Sequence, residues 1–202
     1  LLIGGSKLYD AITDPLMGTI SDRTKSSAGR RRPYLLLGSF ISGLSFILLF
    51  SLAGLRGSEY ILLFTGMALL FNATGYTIFN VPYLAMPSEM TQSYHERTSL
   101  MSFRVASVAV GQLASSFVGP LLLVAYGGGA GGHTAMAMVL GPVIFVSGAI
   151  CFWMTRNAPI QEEQQTSVGL VEQFRMAMEN RPFVLLLGVK ITQLLGLAIF
   201  IS

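Results

Sequence analysis

The stretch DAITDPLMGTISDRT, residues 10–24, decides how the rest of the chain is read. Asp10 and Asp14 stand in a run from Leu1 to Ser21 that is otherwise apolar, small or hydroxylic, save for Lys7. Pro15 follows the second carboxylate directly. Whether two acids one helical turn apart are ordinary or costly depends on the solvent around that helix, and composition identifies the solvent.

Of the 202 residues, 52% are hydrophobic and 11% charged, and the mean hydropathy is +0.61. Soluble domains carry about 25% charged residues, so this chain cannot clothe a water-facing surface. Charge-free runs cover 33–55, 60–88, 105–132 and 134–155 apart from histidine. Each reaches the roughly 20 helical residues that cross a hydrocarbon core of about 30 Å. No short apolar core with a cleavage site is present, so no segment reads as a signal peptide. The single cysteine, Cys151, rules out an internal disulfide and a thiolate zinc cluster. His95 and His133 fall in connecting segments and read as solvated loop residues, which leaves zinc chemistry and a histidine triad without support. The run GGGAGG (127–132) lacks the Lys-Ser or Lys-Thr of a phosphate loop. An intramembrane aspartyl protease needs its acids on facing helices, whereas Asp10 and Asp14 share one. The chain is therefore expected not to be an enzyme, to need no cofactor, and to have the lipid bilayer rather than nucleic acid as its surroundings.

The pattern predicts an all-α membrane protein with spans at 1–21, 34–55, 60–86, 99–126, 134–155 and 182–202, because unpaired backbone amides are not tolerated in hydrocarbon. Connecting segments alternate in charge. Segments 22–33, 87–98 and 156–181 hold nine Lys and Arg residues, against Arg56 alone on the other side. The positive-inside rule places the first set in the cytoplasm, and the first helix runs inward. Three regions are expected: a transmembrane bundle over 1–155, a cytoplasmic inter-bundle loop over 156–181, and the start of a second bundle over 182–202. Within that loop Val171, Phe174 and Met178 share one helical face, opposite Glu172, Arg175 and Glu179. Such a helix suits the membrane surface; a solvated linker is the alternative. The sequence opens in apolar residues without an initiator methionine and stops inside another apolar run, as expected of a fragment.

Charges at membrane depth then need accounting, since each costs about 2.5–3.5 kcal/mol at a helix centre. At 1.5 Å per residue from Asp22, Asp14 lies about 12 Å in and Asp10 about 18 Å in. Asp10, Asp14, Gly18 and Asp22 form one i+4 stripe, which Lys7 joins at i+3 from Asp10. Two ionised carboxylates there repel each other. A bound cation relieves the repulsion, because hard cations take oxygen ligands, and Pro15 frees a carbonyl near residue 11 to join them. A proton serves the same end. The alternative is an ion pair of Lys7 with Asp10, with Asp14 served by another helix. Arg104 lies about 8 Å in and either snorkels to the interface or serves a site. Asn72, Tyr76, Thr77 and Asn80 form a polar line on the span 60–86, and Pro82 is expected to bend or unwind its end. That line suits a cavity wall or interhelical glue.

These motifs resemble one family. DAITDPLMG (10–18), DRT (22–24) and GRRRP (29–33) are similar to the second helix and following loop of the glycoside–pentoside–hexuronide:cation symporters, the melibiose-permease-like branch of the major facilitator superfamily. YTIFNVPY (76–83), ERTSLMSFR (96–104) and NRPF (180–183) resemble its fourth helix, the entry to its fifth and the start of its seventh. The resemblance implies the N-terminal six-helix bundle, lacking its first helix here, plus the start of helix seven, and alternating access around a midplane site. It implies cation binding by Asp10, Asp14 and Thr77, with Na+, Li+ or H+ as the coupling ion. It implies solute contacts from Tyr76, Asn80 and Arg104, and a gating network of Lys7, Asp22, Arg23 and Arg30. A sugar or glycoside is the expected solute, in a bacterial inner membrane. Where the family pattern has an acid and a sugar-stacking tryptophan, this chain has Asn80 and Leu84. NVPY also resembles sodium-dependent lysophosphatidylcholine symporters, so a lysophospholipid or organic anion, or uncoupled facilitation, is the alternative.

Overall fold

A computed structural model of the chain describes residues 2–26, 29–52, 60–158 and 170–182, together with 184, 185, 188, 189 and 192. Among the described residues six helices follow in order: α1 (Leu2–Arg23), α2 (Arg32–Ser51), α3 (Ile61–Met90), α4 (Tyr94–Ala125), α5 (Gly129–Thr155) and α6 (Leu170–Glu179). Among the described residues, α2, α3, α4 and α5 are long and apolar enough to cross a membrane. The expected span at 182–202 lies largely outside the described residues.

The chain divides into two compact units, Leu1–Gln161 and Glu162–Ser202. In the first, α2 is the central helix, packed on α3 and on α5, while α1 packs on α3 and α4 leans mainly on α5. Small residues permit this. A β-carbon on Gly38 of α2 would sit 2.5 Å from the Phe79 backbone nitrogen of α3, and one on Gly43 would sit 2.6 Å from the Gly141 carbonyl of α5. Lipid gives helices no hydrophobic drive to associate, so such close backbone approach supplies the dispersion contact. Phe40 and Phe145 meet edge to face across α2 and α5, centroids 5.8 Å apart. Helix α4 has no buried residue. In the second unit α6 carries an i,i+4 pair, Arg175 to Glu179 at 3.1 Å.

Several boundaries differ from the expected spans. Helix α3 passes through Pro82 and Pro87 to Met90 without unwinding, and ends only where Thr91 turns extended. Pro82 is fully enclosed by neighbours, which holds the helix across the missing hydrogen bond. Helix α4 begins at Tyr94, so the expected 87–98 gap shrinks to three residues, 91–93. That turn closes on itself: Thr91 donates to Glu96 and accepts from the Ser93 amide, and Arg97 donates to the Thr91 carbonyl at 3.3 Å. At the other end, positive φ at Gly127, Gly128 and Gly129 makes a tight reversal, and the remaining glycines are already helical. His95 and His133 therefore sit in helices rather than loops. His133 reaches the Gly129 carbonyl at 2.6 Å through Nδ1 and stacks on Phe50.

Candidate cation and solute site

Helices α1 and α3 meet through matched side chains in parallel order. Tyr9 and Thr74 share a hydroxyl–hydroxyl hydrogen bond of 2.9 Å. One turn on, the Thr77 hydroxyl donates to Asp14 Oδ1 at 2.8 Å. A β-carbon on Gly18 would then rest 3.8 Å from Val81. Thr77 is buried, whereas the Asp14 side chain is exposed beside it. Among the described residues no Lys or Arg pairs with Asp14. Asp14 thus keeps one carboxylate oxygen for a further ligand, and Thr77 keeps hydroxyl lone pairs while donating its proton. Asp10 is half-buried one turn earlier on the same helix. The side chain of Lys7 lies outside the described residues.

Helix α1 continues through Pro15 to Arg23. Because proline has no amide hydrogen, the carbonyl four residues earlier loses its intrahelical donor there. Thr13 and Thr19 turn their hydroxyls back onto the Tyr9 and Pro15 carbonyls, both at 3.0 Å. The Asp14 carboxylate and the Thr77 hydroxyl, 2.8 Å apart, are both oxygen donors, the ligand type that a hard cation takes. Among the described residues no group of three or more His, Cys, Asp or Glu is placed to hold a metal ion.

The polar line on α3 splits between two surroundings. Thr77 faces α1, but Asn72 and Tyr76 line a cavity of about 280 Å³ between α2, α3 and α5, together with Ser39, Ser42 and Ser147. Asn72 also donates to Ser45 at 3.0 Å. Helical geometry separates the two directions, since adjacent residues stand about 100° apart. Asn80 is half-buried on α3. Arg104, on α4, places its guanidinium 5.7 Å from the Tyr83 ring centroid, and its Nε is buried with no hydrogen-bond partner.

At the basic end, three consecutive arginines reach three places. Arg30 pairs with Glu89 at 2.6 Å, and Arg31 pairs with Asp22 at 2.5 Å while its Nε lies 3.2 Å from the same Glu89 oxygen. Arg32 donates to the carbonyls of Arg156 and Ala158 at 2.6 and 2.7 Å. The ends of α1, α2, α3 and α5 are thereby tied by one short segment. The start of the expected 156–181 loop belongs to this clamp and to the first compact unit. Asp22 and Arg30 are members of the network; Arg23 is exposed at the end of α1. Glu89, Arg31 and Arg32 complete it and escaped the sequence reading. Glu89 lies in the expected connection 87–98, and the unbroken α3 makes it a helix end facing GRRRP.

The whole chain, residues 1–202, matches the family model described as MFS/sugar transport protein. It is similar to a putative glycoside/cation symporter of Escherichia coli, YagG, at 31% identity over 92% of this chain and 40% of that protein. The uncharacterized symporter YnaJ of Bacillus subtilis is 31% identical over 89% of this chain and 40% of its own length. The raffinose carrier protein of Pediococcus pentosaceus is 26% identical over 89% of this chain and 30% of the carrier. The chain spans about two-fifths or less of the length of these relatives. A bundle of long apolar helices, joined through small residues and matched from end to end by this family, makes the chain a multi-pass membrane protein and a member of the glycoside–cation symporter family of the major facilitator superfamily, whose members are transporters and not enzymes.

Proposed function

We propose that the chain forms the N-terminal part of a secondary active transporter, in which a cation and a sugar or glycoside move together by alternating access. The Asp14–Thr77 contact carries this reading. A carboxylate at membrane depth is costly, and here its described partner is a neutral hydroxyl of the neighbouring helix. A monovalent cation seated between Asp14, Thr77 and the carbonyl released by Pro15 neutralises the Asp14 carboxylate and relieves its repulsion with Asp10 one turn away. Na+ is the first choice, with Li+ and H+ as alternatives. Cation entry thus lowers the cost of burying the stripe when the bundles close, so the ion favours the conformations that also hold solute. The chain's similarity to a putative glycoside/cation symporter and to a raffinose carrier supports a sugar-type solute.

Asn80 and Arg104 face the solute in this scheme, and Tyr76 adds a hydroxyl from the α2–α3–α5 cavity. At the basic end, Asp22, Arg30, Arg31 and Glu89 hold the helix ends together and break as that side opens, with Arg23 and Lys7 as further charges of the network. The basic segments lie in the cytoplasm by the positive-inside rule, and the membrane is the bacterial inner membrane. The test is uptake of raffinose and of a panel of glycosides by vesicles carrying the full-length transporter, with and without an imposed sodium or proton gradient. Gradient-stimulated accumulation of at least one sugar is expected. Uptake that ignores every gradient would establish facilitation instead.

A further inference from the structure

Arg104 poses a problem that the coupling site does not solve. Its guanidinium belongs to a helix with no buried residue, yet its Nε is itself shut off from solvent and without a hydrogen-bond partner. Among the described residues no carboxylate pairs with it. Asn80, on the facing helix α3, is neutral. What the structure sets against the charge is a ring: Tyr83 of α3, centroid 5.7 Å from Cζ. That ring is itself backed by Phe79, stacked on it with centroids 5.5 Å apart and planes 26° apart. A guanidinium over an aromatic face within about 6 Å is attracted by the ring quadrupole, and the attraction grows as water is removed. A ring face offers the guanidinium no lone-pair acceptor, so its N–H groups are left for other acceptors.

We infer that Tyr83 is the positioning residue for Arg104: its ring holds the guanidinium in place from α3 and leaves the N–H edge turned to the solute. The inference rests on the reading of Arg104 as a solute contact. It also gives α3 and α4, which otherwise touch only slightly, a specific contact that keeps the arginine in register with the rest of the site.

The test uses the full-length transporter in membranes and needs no solute in its first arm. The arginine-directed reagent phenylglyoxal is applied, and modification of Arg104 is followed by peptide mass spectrometry, with the exposed Arg175 as internal reference. Removing the ring with Tyr83→Leu or Tyr83→Met is expected to raise the Arg104 rate about three- to tenfold relative to Arg175, and Tyr83→Phe or Tyr83→Trp to restore it. Equal rates in all variants that fold would overturn the inference. In the second arm, raffinose uptake is expected to show a raised KM with little change in kcat for Tyr83→Leu. Tyr83→Phe should rescue that loss, and Tyr83→Leu should add nothing further to Arg104→Ala. Protected labelling combined with raffinose uptake indifferent to Arg104→Ala would remove the solute contact and leave the ring contact standing. Loss with Arg104→Ala but not with Tyr83→Leu would remove the positioning role.

Discussion

Replacing Thr77 by Val keeps the shape of a buried side chain and deletes the hydroxyl that donates to Asp14 at 2.8 Å. A hydrogen bond to a charged group is worth about 1.5–3 kcal/mol. The lower bound applies here because the Asp14 side chain is exposed and partly screened. A loss of about 1.5 kcal/mol corresponds to roughly tenfold in an equilibrium constant. Deleting the hydroxyl also deletes one oxygen ligand from the proposed ion site, so the loss should fall on cation affinity. The assay is sugar uptake in vesicles as a function of external sodium. Thr77→Val is expected to raise the half-saturating sodium concentration about tenfold, whereas Thr77→Ser, which keeps an oxygen, should stay within about twofold. An unchanged sodium dependence in Thr77→Val would refute the assignment of Thr77 as a ligand. Equal loss in Thr77→Ser would assign the effect to packing.

Other perturbations probe the scaffold and the basic end. Gly38→Ala drives a methyl to 2.5 Å from the α3 backbone, an over-packing expected to cost about 1–3 kcal/mol and to lower the melting temperature in detergent by several degrees; an unchanged melting temperature would mean that α2 and α3 are not in such close contact. Glu89→Gln removes the acid shared by Arg30 and Arg31 and should cost about 1–3 kcal/mol, with cysteine accessibility at the basic end rising at least threefold; unaltered accessibility would deny the network a role in closing that side. Arg104→Ala should weaken sugar binding by at least tenfold and sodium binding by less than twofold, read from separate titrations; equal loss of both would indicate a structural part.

How much could be read beforehand follows from which residues carry local signals. Charge-free runs and lipid depth made α2, α3, α4 and α5 legible, because composition alone sets the solvent. The i+4 spacing from Asp10 to Asp22 placed the acids on one face of α1, and the family motif added Thr77 as their neighbour. Helix ends were harder. Proline removes one hydrogen bond but ends a helix only if nothing encloses it, and the burial of Pro82 is a tertiary fact. The polar line of Asn72, Tyr76 and Thr77 is continuous in sequence, yet Asn72 and Tyr76 line the α2–α3–α5 cavity while Thr77 turns to α1, which only the placement of the helices decides. Arg32 gave no local sign of capping α5, since its partners are carbonyls more than a hundred residues away. Tyr83 stood inside a quoted motif, but its ring gains meaning from Arg104 on another helix.

The claim beneath all of this is that the Asp14 carboxylate is occupied by the coupling cation during transport. The most direct measurement compares sugar uptake by wild-type and Asp14→Asn full-length transporter under imposed Na+, Li+ and H+ gradients, at matched expression in the membrane. Stimulation by at least one gradient in the wild type and by none in Asp14→Asn is the expected result. A variant that still accumulates sugar in response to the same gradient would place the cation elsewhere.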